Sequence, residues 1–269
     1  MDSNQKKRLI NLAGQVLFLA LVLIVWESAA RADLFGSRSR IIFPTLEDIA
    51  DAFIRNFSVG YAGISLWSYI GNSMLLLLTG LAIGIVLAFA FSGLSMCSTV
   101  FYSIYNMIVS IFDLLPGVAL LPVVIVIFGI TPGVIIFLVV HAVIWPMSRN
   151  LLDGFHAVPS IYLEAGLNIG LRGLNLILSV YIPSAATYIV SGLKTAWARA
   201  WRGLISAEMI FGIAKMPGIG LYINQMRTNL ENAEMYATLI VIIIIGMIVQ
   251  YGILEPIERM TVRKWGMSK

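Results

Sequence analysis

Charged residues are scarce in this sequence. Only 12% of its 269 residues are Asp, Glu, Lys or Arg, whereas 59% are hydrophobic, and the mean hydropathy is +0.90. A soluble domain is typically about 25% charged and roughly 45–50% apolar. The composition therefore predicts an integral membrane protein, and the length leaves no room for a sizeable soluble domain.

Residues that commonly carry chemistry are also few. Cys97 is the single cysteine, which excludes an intramolecular disulfide, and we interpret it as a packing or passive loop residue. The two histidines, His141 and His156, are far apart, so no cluster with metal-ligand spacing is present. Carboxylate pairs at catalytic spacing are missing as well. An integral-membrane enzyme, one possible class, would need a catalytic constellation that we do not find.

The sequence has no phosphate-binding loop. Lys194-Thr195 is the one place where Lys precedes Ser or Thr, and Leu193 rather than Gly stands before it. The Gly-rich segment whose backbone amides hold phosphates is therefore missing. We expect no cofactor in this chain, so any ATP and Mg²⁺ must be bound by another polypeptide.

Long apolar runs predict an all-α integral membrane fold with six transmembrane helices. The first run has 18 residues, which is longer than the roughly 7–15 residues of a signal peptide's apolar region. We therefore interpret it as a retained first span. The predicted spans are about 9–26, 72–92, 104–128, 133–148, 185–207 and 236–255.

The distribution of Lys and Arg predicts the topology. With the N-terminus inside, the inner segments hold nine of these residues and the outer segments six. The positive-inside rule then places both termini and the loop 149–184 in the cytoplasm. The net charge of +4 fits this topology better than a nucleic-acid surface. The predicted regions are 1–71 with the first helix and an external loop, the membrane core 72–260 and a cytoplasmic tail 261–269.

Small residues and prolines indicate how the helices pack. A stripe of small residues at every fourth position predicts close helix contact, most simply within one subunit: Gly80, Gly84, Ala88 and Ser92. Three prolines within predicted spans indicate kinks: Pro116, Pro122 and Pro146. In the external loop, Thr45 is a predicted helix N-cap followed by acidic residues.

The loop before the fifth span predicts two short helices joined by a tight turn. Ser160 is a plausible N-cap for a helix that ends near Asn168, with Gly170 in a left-handed cap. A second short helix over Leu171–Val180 would stop at Pro183. From the residues alone, this loop could also be an amphipathic connector that rests on the lipid headgroups.

The spacing within this loop identifies a family. The sequence Glu164-Ala165-Gly166, three residues, Gly170, nine residues, Val180-x-Ile182-Pro183 resembles the EAA loop of ATP-binding-cassette importer permeases. The spacing agrees throughout, and Gly166, Val180 and Ile182 depart in residue type. Motifs elsewhere are similar to those of the nitrate, sulfonate and taurine group: Leu114-Leu115-Pro116, Gly192-Leu193-Lys194, Ala200-Trp201-Arg202, Ala207-Glu208-Met209 and Gly218-Ile219-Gly220.

The resemblance implies a transport subunit rather than an enzyme. The core 72–260 would be the permease, a type I importer bundle in the bacterial inner membrane. Its partners would be a second, identical copy, two ATPase subunits and an external solute-binding protein. Glu164, Ala165, Gly166 and Gly170 would form the coupling helix that docks on the ATPase, with Pro183 closing the motif. The cargo would be a small anion such as a sulfonate, taurine, nitrate or bicarbonate, moved by alternating access.

One side of the fifth span is small, polar and cationic. Thr195, Arg199, Arg202 and Ser206 fall on that side at 100° per residue, and with Asp113 they are candidates for the translocation pathway. The alternative is structural: Lys194 and Arg199 extend to the interface, and Arg202 pairs with a carboxylate such as Asp113. An ion-gradient-driven transporter is the alternative function. It should show discontinuous helices and two related halves, and the sequence shows no convincing internal repeat.

Overall fold

A computed structural model of the chain describes residues 3–32, 36 and 39–263. The regular structure of this part is helical, apart from one isolated β-bridge between Tyr61 and Ile64, so the predicted all-α class is confirmed. The predicted tail residues 264–269 lie outside the described residues. The predicted orientation of the termini stays a prediction.

The described residues contain four helices that are long and apolar enough to cross a membrane, or up to six spans if each of two bent helix pairs is one span. The single spans are α1 (Ser3–Arg31), α3 (Leu66–Ser95), α6 (Pro132–His156) and the continuous helical run Asn232–Thr261, which begins with α10 (Asn232–Met247). The bent pairs are α4 (Thr99–Phe112) with Gly117–Phe128, and Leu174–Ser184 with α8 (Ala186–Ile210).

The remaining helices are shorter. They are Ser39–Ile42, α2 (Leu46–Ser58), α5 (Leu121–Phe128, the end of the first bent pair), α7 (Ser160–Asn168) and α9 (Ile219–Thr228). The predicted N-cap of α2 is confirmed. Thr45 accepts a hydrogen bond from the Asp48 amide, and the Asp48 carboxylate accepts one from the Thr45 amide, both at 3.1 Å. These bonds occupy two donors that the helix itself cannot satisfy.

The third and fifth spans differ from the prediction. The predicted continuous helix 104–128 is broken, and its two parts meet at 91°. Pro116 has extended backbone angles (φ −62°, ψ 121°), and as a proline it cannot donate the backbone hydrogen bond that would continue the helix. The fifth span is preceded by the helical segment Leu174–Ser184, which meets α8 at 78°. The sixth-span helix and α6 both extend beyond their predicted ends.

The chain divides into two compact units. The first comprises 1–66 and 223–240. In it, the Trp26 indole donates to the Pro44 carbonyl at 3.0 Å and its ring lies edge-on to Tyr236. The Arg55 guanidinium pairs with Glu234 at 2.8 Å. These contacts fix the end of α1 and the helix α2 within this unit.

The second unit comprises 67–222 and 241–269, and small residues set its helix packing. A Cβ atom on Gly80 would lie 2.6 Å from Val139, and one on Gly84 would lie 2.8 Å from Val143. Both valines belong to α6, so the small-residue stripe of α3 serves packing within the chain, as predicted. Gly192 of α8 approaches Asn150 of α6 in the same way, at 2.9 Å from a Cβ position.

Candidate functional site

The loop helix α7 runs over Ser160–Asn168 and ends as predicted. Gly170 has a φ of +87°, a left-handed conformation that glycine adopts without strain. The Leu171 amide donates to the Gly166 carbonyl and the Gly170 amide to the Leu167 carbonyl, both at 3.0 Å. This pair of bonds is a Schellman motif, which satisfies carbonyls at the helix end.

Two details of this loop correct the predictions. Pro159 rather than Ser160 occupies the N-cap, with no side-chain hydrogen bond to the helix. Since proline has a fixed φ, it can start a helix without a capping side chain. The second helix starts at Leu174, after Gly173 with φ +52°, and continues through Pro183 to Ser184. Pro183 lies within the first two residues of the final α-helical turn, where its missing amide hydrogen is tolerated.

Gly166 lies on the inner side of α7. It is buried, and a Cβ atom there would lie 2.9 Å from the Leu176 side chain and 3.0 Å from that of Val180. The small size of Gly166 is therefore explained by packing against the second loop helix. Glu164 and Ala165 are exposed on α7, and they are the motif residues that a partner could contact directly.

A second candidate site is a cavity of about 250 Å³ beside the break between α4 and α5. Asp113, Pro116 and Gly117 come from the break, and Arg199 and Arg202 come from α8. The opposite face of α8 is buried and carries Trp197, Trp201, Leu204 and Glu208. Thr195 and Ser206, also predicted for the pathway, do not line this cavity.

The ion pairs at the cavity differ from the predicted structural alternative. The two oxygens of Asp113 contact different arginines: Oδ2 lies 3.2 Å from Nε of Arg149, and Oδ1 lies 2.5 Å from Nη1 of Arg199. The Arg202 Nε instead donates to the Ala198 carbonyl at 3.0 Å. Arg202 follows Arg199 by about one helical turn, roughly 4.5 Å along the axis. Arg199 is the arginine closer to Asp113, and it forms the ion pair.

Lys194 also has a partner that was not predicted. Its ammonium group pairs with Glu258 from the last helical run, rather than extending free to the interface. Among the described residues, Arg202 has no carboxylate within ion-pair distance. The cavity lining therefore contains the guanidinium groups of Arg199 and Arg202 and the carboxylate of Asp113, while Arg149 contacts Asp113 from outside the lining.

The structure also reveals a buried polar cluster that the sequence interpretation missed. Glu208 is 1% exposed. It accepts hydrogen bonds from the Ser73 hydroxyl at 2.8 Å and from the Gly220 amide at 2.9 Å, and the Ile219 amide donates to Ser73 Oγ at 2.8 Å. Ile219 and Gly220 are the first residues of α9, so Glu208 and Ser73 satisfy amides that the helix leaves free. Two features of the sequence could have indicated this cluster: a carboxyl group on an apolar helix, and the segment Pro217-Gly218-Ile219-Gly220 that follows it.

Comparison with known proteins identifies the chain's relatives. It is 23% identical to the taurine transport system permease protein of Escherichia coli, with 90% of this chain and 86% of the relative aligned. It is 24% identical to a nitrate import permease protein of Synechocystis, over 86% and 82% of the two chains. It is 26% identical to a bicarbonate transport system permease protein of Synechocystis, over 50% and 48%.

The family model described as "binding-protein-dependent transport system inner membrane component" matches residues 80–259. This region contains the loop helix α7, the cavity and, apart from Ser73, the Glu208 cluster. The match covers well over half of the chain and agrees with the helical spans that the structure shows. The chain belongs to the family of inner-membrane components of binding-protein-dependent transport systems, the permeases of ABC importers.

Proposed function

We propose that this permease carries a small anion across the bacterial inner membrane by ATP-driven alternating access. The observation that carries the anion assignment is the charge around the cavity. The lining carries the guanidinium groups of Arg199 and Arg202 and the carboxylate of Asp113. Arg149 pairs with that carboxylate from outside the lining, so the four groups together have an excess of two positive charges. Uncompensated charge at membrane depth is costly, so it marks a solute or ion pathway more often than a packing site.

The size of the cavity supports a small solute. Its volume of about 250 Å³ is below the roughly 300–1,000 Å³ of pockets that hold drug-sized ligands. The names of the relatives specify taurine, nitrate and bicarbonate transport. These solutes are small, and each carries an anionic group that a guanidinium can bind through paired hydrogen bonds.

Membership of the family implies an ATPase partner and a binding protein. We assign the ATPase contact to α7. Glu164 would orient the helix through a polar contact, and Ala165 would allow the partner's surface to come close. The Schellman turn at Gly170 fixes where α7 ends. Two ATPase subunits and a second copy of this chain would complete the importer.

The bent helices are the observation that favours the alternative, an ion-gradient-driven transporter, because discontinuous helices line many such pathways. Proteoliposomes containing the permease and its ATPase separate the two functions. We expect uptake of a labelled anion, supplied with the binding protein, to require ATP and to persist when ionophores collapse all ion gradients. Uptake that follows an ion gradient without ATP would establish the alternative.

A further inference from the structure

We propose that Asp113 is an internal counter-anion, which holds Arg199 while the cavity is empty and is replaced there by the transported anion. This inference rests on the proposed function, because it names a residue that sets the affinity of the same cavity for its solute. It assigns to Asp113 a role in the binding equilibrium and not only in holding helices together.

The first support is the division of the carboxylate between two helices. One oxygen of Asp113 contacts Arg199 of α8, and the other contacts Arg149 of α6. When Arg199 turns to another anion, Asp113 keeps Arg149 as a partner. The exchange therefore does not leave a poorly exposed carboxylate without a cation, which would be strongly destabilising.

The second support is the position of Arg199. Its side chain is 41% exposed, whereas that of Asp113 is 11% exposed. Arg199 and Arg202 are three residues apart on α8, so they lie on the same face and both line the cavity. An anion that reaches Arg202 is then beside Arg199, and a guanidinium has enough donors to serve two acceptors during the exchange. Arg149 does not line the cavity.

The third support is the location of Asp113 at the C-cap of α4. The end of a helix carries partial negative charge, so a carboxylate is disfavoured there and a cation is favoured. Helix capping therefore does not explain an acidic residue at this position. The two arginines offset this unfavourable placement, and one of those arginines is exposed to the cavity.

The experiment measures anion binding by the permease–ATPase complex in nanodiscs, with nitrate, bicarbonate and ethanesulfonate as separate probes. The readout is the thermal unfolding midpoint of the permease, titrated at constant ionic strength with gluconate as the balancing anion. Asp113→Asn removes the competing charge with little change in shape. We expect it to lower the half-saturating concentration of at least one probe about tenfold, the equivalent of one charged hydrogen bond at the low end of its range.

Arg149→Gln is the matched variant, because it breaks the other contact of Asp113 without altering the cavity lining. Asp113 then has Arg199 as its remaining partner, so release of Arg199 to the anion costs more free energy. The half-saturating concentration should therefore rise. A purely structural Asp113 predicts no gain in affinity from Asp113→Asn. If Asp113→Asn does not assemble, Arg149→Gln still tests the exchange. A half-saturating concentration that falls or stays the same in this variant refutes it.

The double variant Asp113→Asn with Arg199→Gln tests whether Arg199 is the residue released. Under exchange, the gain from Asp113→Asn disappears when Arg199 is absent, whereas simple repulsion by Asp113 would preserve it. Persistence of the gain refutes the proposal. The proposal is also refuted if none of the three probes stabilises the wild-type complex. In that case, ATP-driven uptake of a neutral solute by the same complex would show that the chain is still an importer.

Discussion

The Gly220 amide donates a hydrogen bond to the carboxyl group of Glu208, twelve residues earlier in the chain, at 2.9 Å. The two residues belong to the start of α9 and the end of α8. Ser73 of α3 completes the cluster by contacting both Glu208 and the Ile219 amide. One buried carboxyl group thus joins three helical segments through directed hydrogen bonds.

Removal of this acceptor should destabilise the permease. Glu208→Ala leaves the Gly220 amide and the Ser73 hydroxyl without their acceptor, and each such loss costs about 1–3 kcal/mol. We expect a clearly lower unfolding midpoint in detergent, measured by fluorescence-detected size exclusion after heating. Glu208→Gln keeps an oxygen for Gly220 and should lose less. Ser206→Ala, an exposed site on the same helix, should behave like the wild type, and equal stability of all three variants would contradict the prediction.

Gly218 should not tolerate a side chain. A Cβ atom there would lie 2.1 Å from the Glu208 carboxyl oxygen, so Gly218→Ala forces the loop or the carboxyl group to move. Overpacking of this kind typically costs about 1–3 kcal/mol. Gly93→Ala is the control, since the nearest atom to its Cβ position is 3.9 Å away. A Gly218→Ala variant as heat-resistant as Gly93→Ala would be inconsistent with the described packing.

Ala165→Arg should uncouple ATP hydrolysis from transport while the permease remains folded. The residue is exposed on α7, so a long side chain disturbs a docked partner and not the core. We expect loss of substrate-stimulated ATPase activity in the reconstituted complex, with retention of the ATPase checked by co-purification. Ala165→Ser keeps the small size and should preserve stimulation. Full stimulation in the Ala165→Arg complex would remove the basis for assigning the docking contact to this face.

Arg202→Ala should reduce anion uptake without loss of stability. Arg202 is exposed and its described polar contact is with a neighbouring carbonyl, so its removal strands no charged partner. We expect the complex to assemble with an unfolding free energy within about 0.5 kcal/mol of the wild type, as for ordinary surface changes. Uptake in proteoliposomes should fall at least tenfold, with Arg202→Lys retaining part of it. Normal uptake of a known anion by Arg202→Ala would exclude the residue from the pathway.

The isolated permease should not bind ATP, because its sequence lacks a Gly-rich phosphate loop. Equilibrium dialysis with labelled ATP should show no binding at micromolar concentrations, and the same assay on the permease–ATPase complex supplies the positive control. Saturable binding by the permease alone would mean that a nucleotide site exists without the expected loop.

Local features of this chain were predictable from the sequence. The capping box at Thr45, the left-handed turn at Gly170 and the polar face of α8 depend on residues within a few positions of one another, and all three are confirmed. The break after α4 was only partly predicted. Pro116 indicated a kink, but the 91° turn depends on how the following segment packs.

Contacts between distant segments were not predictable in the same way. Asp113 pairs with Arg199 and not with Arg202. Which arginine is within reach depends on where the end of α4 lies along the axis of α8. Gly166 is small because Leu176 and Val180 lie against it, whereas its place in a motif suggested a partner's surface. Glu208 stands in one of the motifs of the sequence, but its acceptor role requires the fold that brings Ser73 and Gly220 to it.

The contact of Gly166 with Leu176 and Val180 has a mechanical consequence. It packs α7 against the segment Leu174–Ser184, which meets α8 at 78° beside the buried residue Ala185. A displacement of α7 would then also move the segment Leu174–Ser184 and reach the bend before α8, rather than be absorbed by the turn between the two loop helices. A bulkier residue at 166 would push α7 away from the segment Leu174–Ser184, and it would weaken this transmission without touching either the proposed docking face or the cavity.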